Sequence, residues 1–131
     1  MMELSLKGLD VAGDYLLDHK PDNADFFSLW LTVTVGVNGE EGSSSYQLHI
    51  CTPDWIRYAV ENELEDHFLW GRHMLIVDKF DAEKIEIAIE KKLKEISSQF
   101  SNDSQSELLK KVSRYAYWEY EDYETNKDSH H

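Results

Sequence analysis

Apolar and polar residues alternate along the first half of the chain, a pattern typical of strands with one buried face. The clearest case is the segment 27–37, where every second residue is apolar. Its apolar positions are Phe27, Leu29, Leu31, Val33, Val35 and Val37. Weaker alternation marks residues 2–9 and 46–50. The segment 38–43 contains Asn-Gly and a second glycine, so we expect the chain to reverse there as a β-hairpin.

Helical spacing of apolar residues takes over in the second half. The Thr-Pro pair at 52–53 supplies an N-cap and a first helical residue, which predicts a helix ending in the acidic run 61–66. Asp81 can cap a second helix with one apolar stripe. The stripe consists of Ile85, Ala88, Ile89, Leu93 and Ile96. Ser104 and Glu107 have the spacing of a capping box, which predicts a third helix.

Three further segments complete the predicted order of elements. Residues 10–25 are rich in Asp, Gly, Pro and Asn, which favours a long connecting loop with one helical turn at 15–17. Residues 72–80 contain the run Met-Leu-Ile-Val, apolar on both faces, so we expect a central strand covered from two sides. The aromatic segment 115–123 provides a candidate fifth strand.

The pattern as a whole predicts an α+β fold: an antiparallel sheet of four or five strands with two or three helices packed on one face. The 131 residues suit a single domain, which we expect over 1–124, with a disordered tail at 125–131. Apolar residues amount to 41% and aromatic residues to 12%, enough for a compact core.

Composition also bears on compartment and partners. The sequence has no apolar run near the ~20 residues of a membrane span and no signal-peptide pattern at its start, and its single cysteine, Cys51, permits no internal disulfide. We therefore expect a cytoplasmic protein that does not bind membranes. Thirteen basic and 26 acidic residues give a net charge of -13, which attracts cationic partners and disfavours direct nucleic-acid binding. That the charge serves only solubility remains an alternative.

Searches for catalytic patterns find little. The chain has no phosphate-binding glycine motif and no GxSxG nucleophile elbow. His67 and His73 lack the spacing of a zinc-binding HExxH helix. His49 and Cys51 share a strand face, but a half-buried cysteine in a strand usually serves packing. We expect no enzyme, no cofactor and no metal; a small hydrolase using His73 and Asp78 is the catalytic alternative.

Protein recognition fits the residues better. Five aromatic and three acidic residues fall within 115–123, and tyrosine and tryptophan beside carboxylates suit a basic protein partner. At least two of these aromatic residues should belong to the core. The candidate contacts are Glu61, Glu63, Glu65 and Asp66 of the acidic run, Tyr120, Glu121, Asp122 and Tyr123 near the end, and Asp18, Asp22 and Asp25 of the long loop. The alternative interpretation of the acidic run is a solvated helix end without a binding role.

Three segments together resemble the bacterial immunity protein 8 family. They are GEEGSSSYQLHICTPDWI at 39–56, LWGRHMLIVDKFD at 69–81 and YWEYEDY at 117–123. The resemblance spans about residues 3–124. Gly71, Arg72, Thr52, Pro53 and Trp55 match the family pattern, and we expect them to serve as turn, cap and core rather than as contacts.

The resemblance implies a function. Members of this family are encoded beside polymorphic or contact-dependent growth inhibition toxins and neutralise the toxin domain by binding it. The acidic composition then favours a basic target, of which a nuclease is the main candidate, inhibited by steric and electrostatic masking. An acidic adaptor or regulator without a toxin partner remains the alternative.

Overall fold

The computed structural model describes residues 2–119, which form a β-sheet with helices packed against it. The strands are β1 (Leu4–Val11), β2 (Asp14–Tyr15), β3 (Ser28–Val37), β4 (Ser44–Cys51), β5 (Met74–Ile76) and β6 (Tyr117–Trp118). The helices are α1 (Pro53–Tyr58), α2 (Ala82–Gln99) and α3 (Gln105–Val112), with a 3-10 turn at Leu16–Asp18 and a π turn at Ala59–Glu63. The α+β class and the helices of the prediction are confirmed.

The sheet has the strand order β2-β1-β3-β4-β5. All neighbours on this path are antiparallel except β5, which runs parallel to the end of β4. The short strand β6 pairs antiparallel with the beginning of β4. The hairpin predicted at 38–43 joins β3 to β4, and the candidate fifth strand of the aromatic segment is present as β6.

The prediction for residues 72–80 is wrong in one respect. Only Met74–Ile76 form a strand, and it lies at the edge of the sheet instead of the centre. Leu75 packs against the core, whereas Ile76 is 54% exposed. The run is apolar on both faces, yet only one face of the sheet is covered by α2 and α3, so its residues on the other face stay accessible.

The core lies between one face of the sheet and the helices α2 and α3. The alternating residues predicted in β3 are all buried there, with Leu31, Val35 and Val37 fully enclosed. From α2 the residues Ile85, Ile89, Leu93 and Ile96 complete the layer. Each such side chain contributes about 1.5 to 3 kcal/mol when it leaves water. The apolar residues that alternate in β3 and those of the stripe on α2 therefore pack together in one layer.

The predicted caps hold the helix starts. The Thr52 side chain accepts a hydrogen bond from the Trp55 N–H, and it also accepts one from the Phe27 N–H at 3.2 Å, which ties the start of α1 to the start of β3. Asp81 accepts from the Lys84 N–H at 3.2 Å. The capping box predicted at the start of α3 is also present.

The long loop contains more structure than the sequence indicated. β1 continues to Val11, β2 follows it, and the predicted helical turn is the 3-10 turn at Leu16–Asp18. Leu16 is 1% exposed, which anchors this turn on the core. Within residues 2–119 no helix is both long enough and apolar enough to span a bilayer.

The second face of the sheet is called the open face here and is defined by Trp30, Thr32, Gln47 and His49. These residues alternate with the buried positions of β3 and β4, and in the register Trp30 lies opposite His49 and Thr32 opposite Gln47. Trp30 is 50% exposed, whereas His49 is buried. The candidate binding surface is built on this open face.

Candidate functional site

The acidic run lies at the end of α1. Its members are Glu61, Glu63, Glu65 and Asp66, and all four are exposed. The helix widens into the π turn Ala59–Glu63, which closes with the bond from the Leu64 N–H to the Ala59 carbonyl at 2.9 Å. The run is therefore a solvated helix end. Its exposed carboxylates are also accessible to a partner.

Asp18, Asp22 and Asp25 are exposed as well. The last of them lies next to Phe26, whose ring contacts the Tyr58 ring in a T-shaped arrangement with the centroids 5.6 Å apart. Tyr58 is the final residue of α1, so this contact brings the Asp25 segment to the side of the molecule where the acidic run begins. Asp18 is the last residue of the 3-10 turn and comes earlier in the same connection.

Four predicted contacts lie outside the described residues; they are Tyr120, Glu121, Asp122 and Tyr123. Of the aromatic residues before them, Tyr115 is 40% exposed and lies under the Lys92 ammonium group. Trp118 packs against the core, and Tyr117 lies opposite Gln47, which places it on the open face. One of the three described aromatic residues of this segment thus belongs to the core.

A row of aromatic rings crosses the open face. Trp30 stacks on His49 with the centroids 4.8 Å apart, and Trp55 from α1 meets the same imidazole at 5.2 Å, nearly perpendicular to it. Tyr117 also contacts Trp30, with the centroids 5.9 Å apart, and Tyr117 in turn contacts the His73 ring at 4.5 Å. We call these five residues the aromatic row.

The Arg72 guanidinium extends the row, with its central carbon 5.0 Å from the centroid of the Tyr117 ring. Arginine over an aromatic face is a cation–π arrangement. Tyrosine, tryptophan and arginine are also the residue types that most often dominate binding energy at protein interfaces. This part of the open face therefore has the composition of a protein-binding surface.

His49 is held in one orientation by its surroundings. Its Nε2 lies 2.6 Å from the Ser28 hydroxyl, and its backbone N–H donates to the His73 carbonyl at 3.1 Å. Burial lowers the pKa of the imidazole, which favours the neutral form of the ring. A neutral imidazole suits stacking between aromatic rings.

The cysteine two residues along, Cys51, is fully buried, and burial raises the pKa of its thiol to about 11. A thiol with a raised pKa stays largely protonated at neutral pH, so little of the nucleophilic thiolate forms there. Among the hydrogen bonds of residues 2–119, none joins a carboxylate to His49. The burial of His49 and Cys51 agrees with a packing role for both side chains.

The two residues of the catalytic alternative, His73 and Asp78, have different surroundings. Asp78 is exposed and accepts a hydrogen bond from the Lys79 N–H at 3.0 Å. It lines a surface depression of about 240 Å³ together with Asp81 and Lys84. His73 is not part of that lining, and its ring packs against Tyr117. Within residues 2–119 no group of three or more His, Cys, Asp or Glu side chains could hold a metal ion.

Sequence reasoning missed most of the exposed aromatic side chains. Trp70 is 92% exposed, Phe68 73%, Tyr58 42% and Phe26 38%. A signal existed for Trp30, which interrupts the polar positions of β3 with a large apolar ring. Phe68 and Trp70 lie in a stretch rich in charged residues, where no periodicity marks them as core. Scattered apolar residues need no explanation, but a connected set points to an interface.

Comparison with known proteins gives the family. No curated protein and no solved structure matches the chain. The family model described as immunity protein 8 matches residues 4–123, nearly the whole chain. The chain therefore belongs to the immunity protein 8 family and is an immunity protein against a toxin.

Proposed function

We propose that the protein binds one cognate toxin domain in the cytoplasm and neutralises it by steric and electrostatic masking, without catalysis. We further propose that the toxin is a nuclease with a basic substrate cleft. The single observation that carries the choice of target is the net charge of -13, because a cleft built for phosphates attracts such a surface.

The placement of the carboxylates supports the same mechanism. The four acids of the run 61–66 and Asp25 are exposed on the side of the molecule that carries α1. Exposed charges at the rim of an interface mainly speed the encounter, whereas buried contacts set how long the complex lasts. We therefore expect fast, salt-sensitive association with the toxin domain.

The test uses the purified full chain and the toxin domain encoded beside its gene. Addition of one equivalent of the protein should abolish nucleic-acid cleavage by the toxin, and co-expression should restore growth. A toxin that stays fully active with excess protein would contradict the proposed function. A toxin that is inhibited but cleaves no nucleic acid would contradict only the choice of a nuclease.

A charge-reversal pair tests the role of the acidic run. The double variant Glu61→Lys with Glu65→Lys should associate about tenfold more slowly at low salt, with a smaller effect in high salt. Glu40→Lys with Glu90→Lys is the matched control, because it changes the net charge equally at exposed positions on the hairpin and on α2. Equal slowing by both pairs would mean that only the overall charge matters.

A further inference from the structure

The loop between the π turn and β5 presents two large rings to solvent. Trp70 is 92% exposed and Phe68 is 73% exposed. Tryptophan is highly buried on average in folded proteins, so a nearly bare ring on a loop is unusual. We call residues 67–73 the aromatic finger.

Several contacts hold the finger in shape at its first end. His67 has a left-handed backbone with φ of 60°. Its N–H donates to the Leu64 carbonyl at 3.1 Å, and its Nδ1 lies 3.0 Å from the Val60 carbonyl oxygen. These two bonds fasten the start of the finger to the π turn that follows α1.

The second end is fixed on the open face. His73 also has a left-handed backbone with φ of 54°, and its carbonyl accepts the hydrogen bond of the His49 N–H. Within the finger the Arg72 N–H donates to the Trp70 carbonyl at 2.9 Å, and the Arg72 guanidinium lies over Tyr117. A loop held at both ends loses little conformational entropy when it binds.

The finger continues the aromatic row. Arg72 and His73 both touch the Tyr117 ring, which contacts the half-exposed Trp30. The second end of the finger is thus in contact with the rings of the open face. Interfaces with this composition concentrate their binding energy in a few central aromatic anchors.

The charges around the finger indicate the kind of occupant. Between residues 61 and 72 there are four acidic residues and one basic residue, Arg72. A second copy of this chain would bring acidic residues against acidic residues, which opposes self-association. A partner with an apolar cavity bordered by lysine and arginine side chains would match both the rings and the carboxylates.

We propose that Trp70 and Phe68 are the anchors of the complex and insert into an apolar cavity on the toxin domain whose rim is basic. The acidic run faces that rim and speeds the encounter. This inference rests on the proposed function and names the residues on which the lifetime of the complex depends.

Kinetics of binding between the full chain and the cognate toxin domain test the proposal. Trp70→Ala should raise the dissociation rate about 30-fold or more, the effect of losing a hot-spot residue, while the association rate changes less than about threefold. Phe68→Ala should act in the same direction. Both variants should unfold at the same urea concentration as the wild type, because the removed rings are mostly exposed.

The control is Tyr15→Ala, which removes another large ring that is 71% exposed but belongs to β2, at the opposite edge of the sheet from β5. Its dissociation rate should equal that of the wild type. Suppose that the wild type binds tightly and that the double variant Trp70→Ala with Phe68→Ala dissociates within about threefold of the wild-type rate. The two rings are then not the anchors of the complex, and the proposed function stands. If the wild type does not bind, the proposed function itself fails.

Fluorescence gives an independent check. The difference in emission between the wild type and Trp70→Phe isolates the fluorescence of Trp70. In the isolated protein, acrylamide should quench this fluorescence readily because the indole is accessible. Addition of the toxin domain should shift this emission to the blue and protect it from acrylamide. Unchanged quenching in a saturated complex would overturn the proposal, and so would a homodimer that Trp70→Ala dissociates.

Discussion

Trp30 and His49 face each other across β3 and β4 and stack with only 14° between their ring planes. The Trp55 ring lies nearly perpendicular to the same imidazole, whose Nε2 lies 2.6 Å from the Ser28 hydroxyl. His49 is thereby removed from water in the middle of an otherwise accessible face. Burial lowers the pKa of its side chain for this reason.

The lowered pKa predicts a dependence of stability on pH. In the unfolded chain a histidine titrates near ~6.5, so between that value and the lower folded pKa the unfolded state binds more protons. The contribution of His49 to the free energy of unfolding is complete above about pH 6.5 and falls as the pH drops towards the folded pKa. Urea unfolding at pH 7.5, 6.5 and 5.5 should therefore show decreasing stability.

The matched variant for this measurement is His49→Gln, which keeps a polar side chain but cannot take up a proton. The other histidines of the chain are present in both proteins, so the difference between their pH profiles isolates His49. The profile of the variant should be flatter between pH 7.5 and 5.5. Parallel profiles would mean that His49 titrates at its ordinary pKa in the folded state.

Cys51 predicts a reactivity that depends on folding. Its side chain is fully buried between strands, and burial raises the pKa of the thiol to about 11. At pH 8 the folded protein should react very slowly with a thiol reagent such as dithionitrobenzoate. In urea the single cysteine should react at once and give one equivalent. Rapid reaction of the folded protein would show that β4 opens readily near its end.

Much of this fold is visible in the sequence because local periodicity and tertiary burial agree. The alternation in 27–37 and the stripe on α2 both describe faces that end in the same core. The caps at Thr52 and Ser104 are local hydrogen-bond chemistry and need no knowledge of distant residues. Both caps join residues three apart, a spacing that a single sequence displays directly.

The candidate surface was harder to predict because it depends on contacts between distant segments. Trp30, Trp55 and Tyr117 come together only through strand register and the position of α1. The position of β5 was predicted wrongly for a related reason: an apolar run shows that a strand can be covered on both faces, but not that a helix covers each. The acidic residues were visible as charges, although their use in binding stays a prediction.

Ser97 should be important for stability although it is polar. It is 5% exposed; its hydroxyl accepts the Leu4 N–H at 2.9 Å and donates to the Leu93 carbonyl at 2.9 Å. Ser97→Ala leaves the Leu4 N–H without this acceptor at the start of β1, which should lower the free energy of unfolding by about 1 to 3 kcal/mol. Ser98→Ala is the control, because Ser98 is exposed on the same helix and should change stability little. Equal effects of the two substitutions in urea unfolding would contradict the role of Ser97.

The capping box at the start of α3 gives the last prediction. The Ser104 hydroxyl accepts the Glu107 N–H at 3.3 Å, and the Glu107 carboxylate accepts the Ser104 N–H at 3.3 Å. This short helix supplies the fully buried Leu108 to the core, so Ser104→Ala should lower the free energy of unfolding by about 1 kcal/mol. Ser104→Thr keeps the hydroxyl and should therefore keep most of the stability that Ser104→Ala loses. This comparison separates the effect of capping from that of side-chain volume. If alanine and threonine destabilise the protein equally in urea unfolding, the cap does not stabilise α3, and burial of Leu108 alone holds the helix in place.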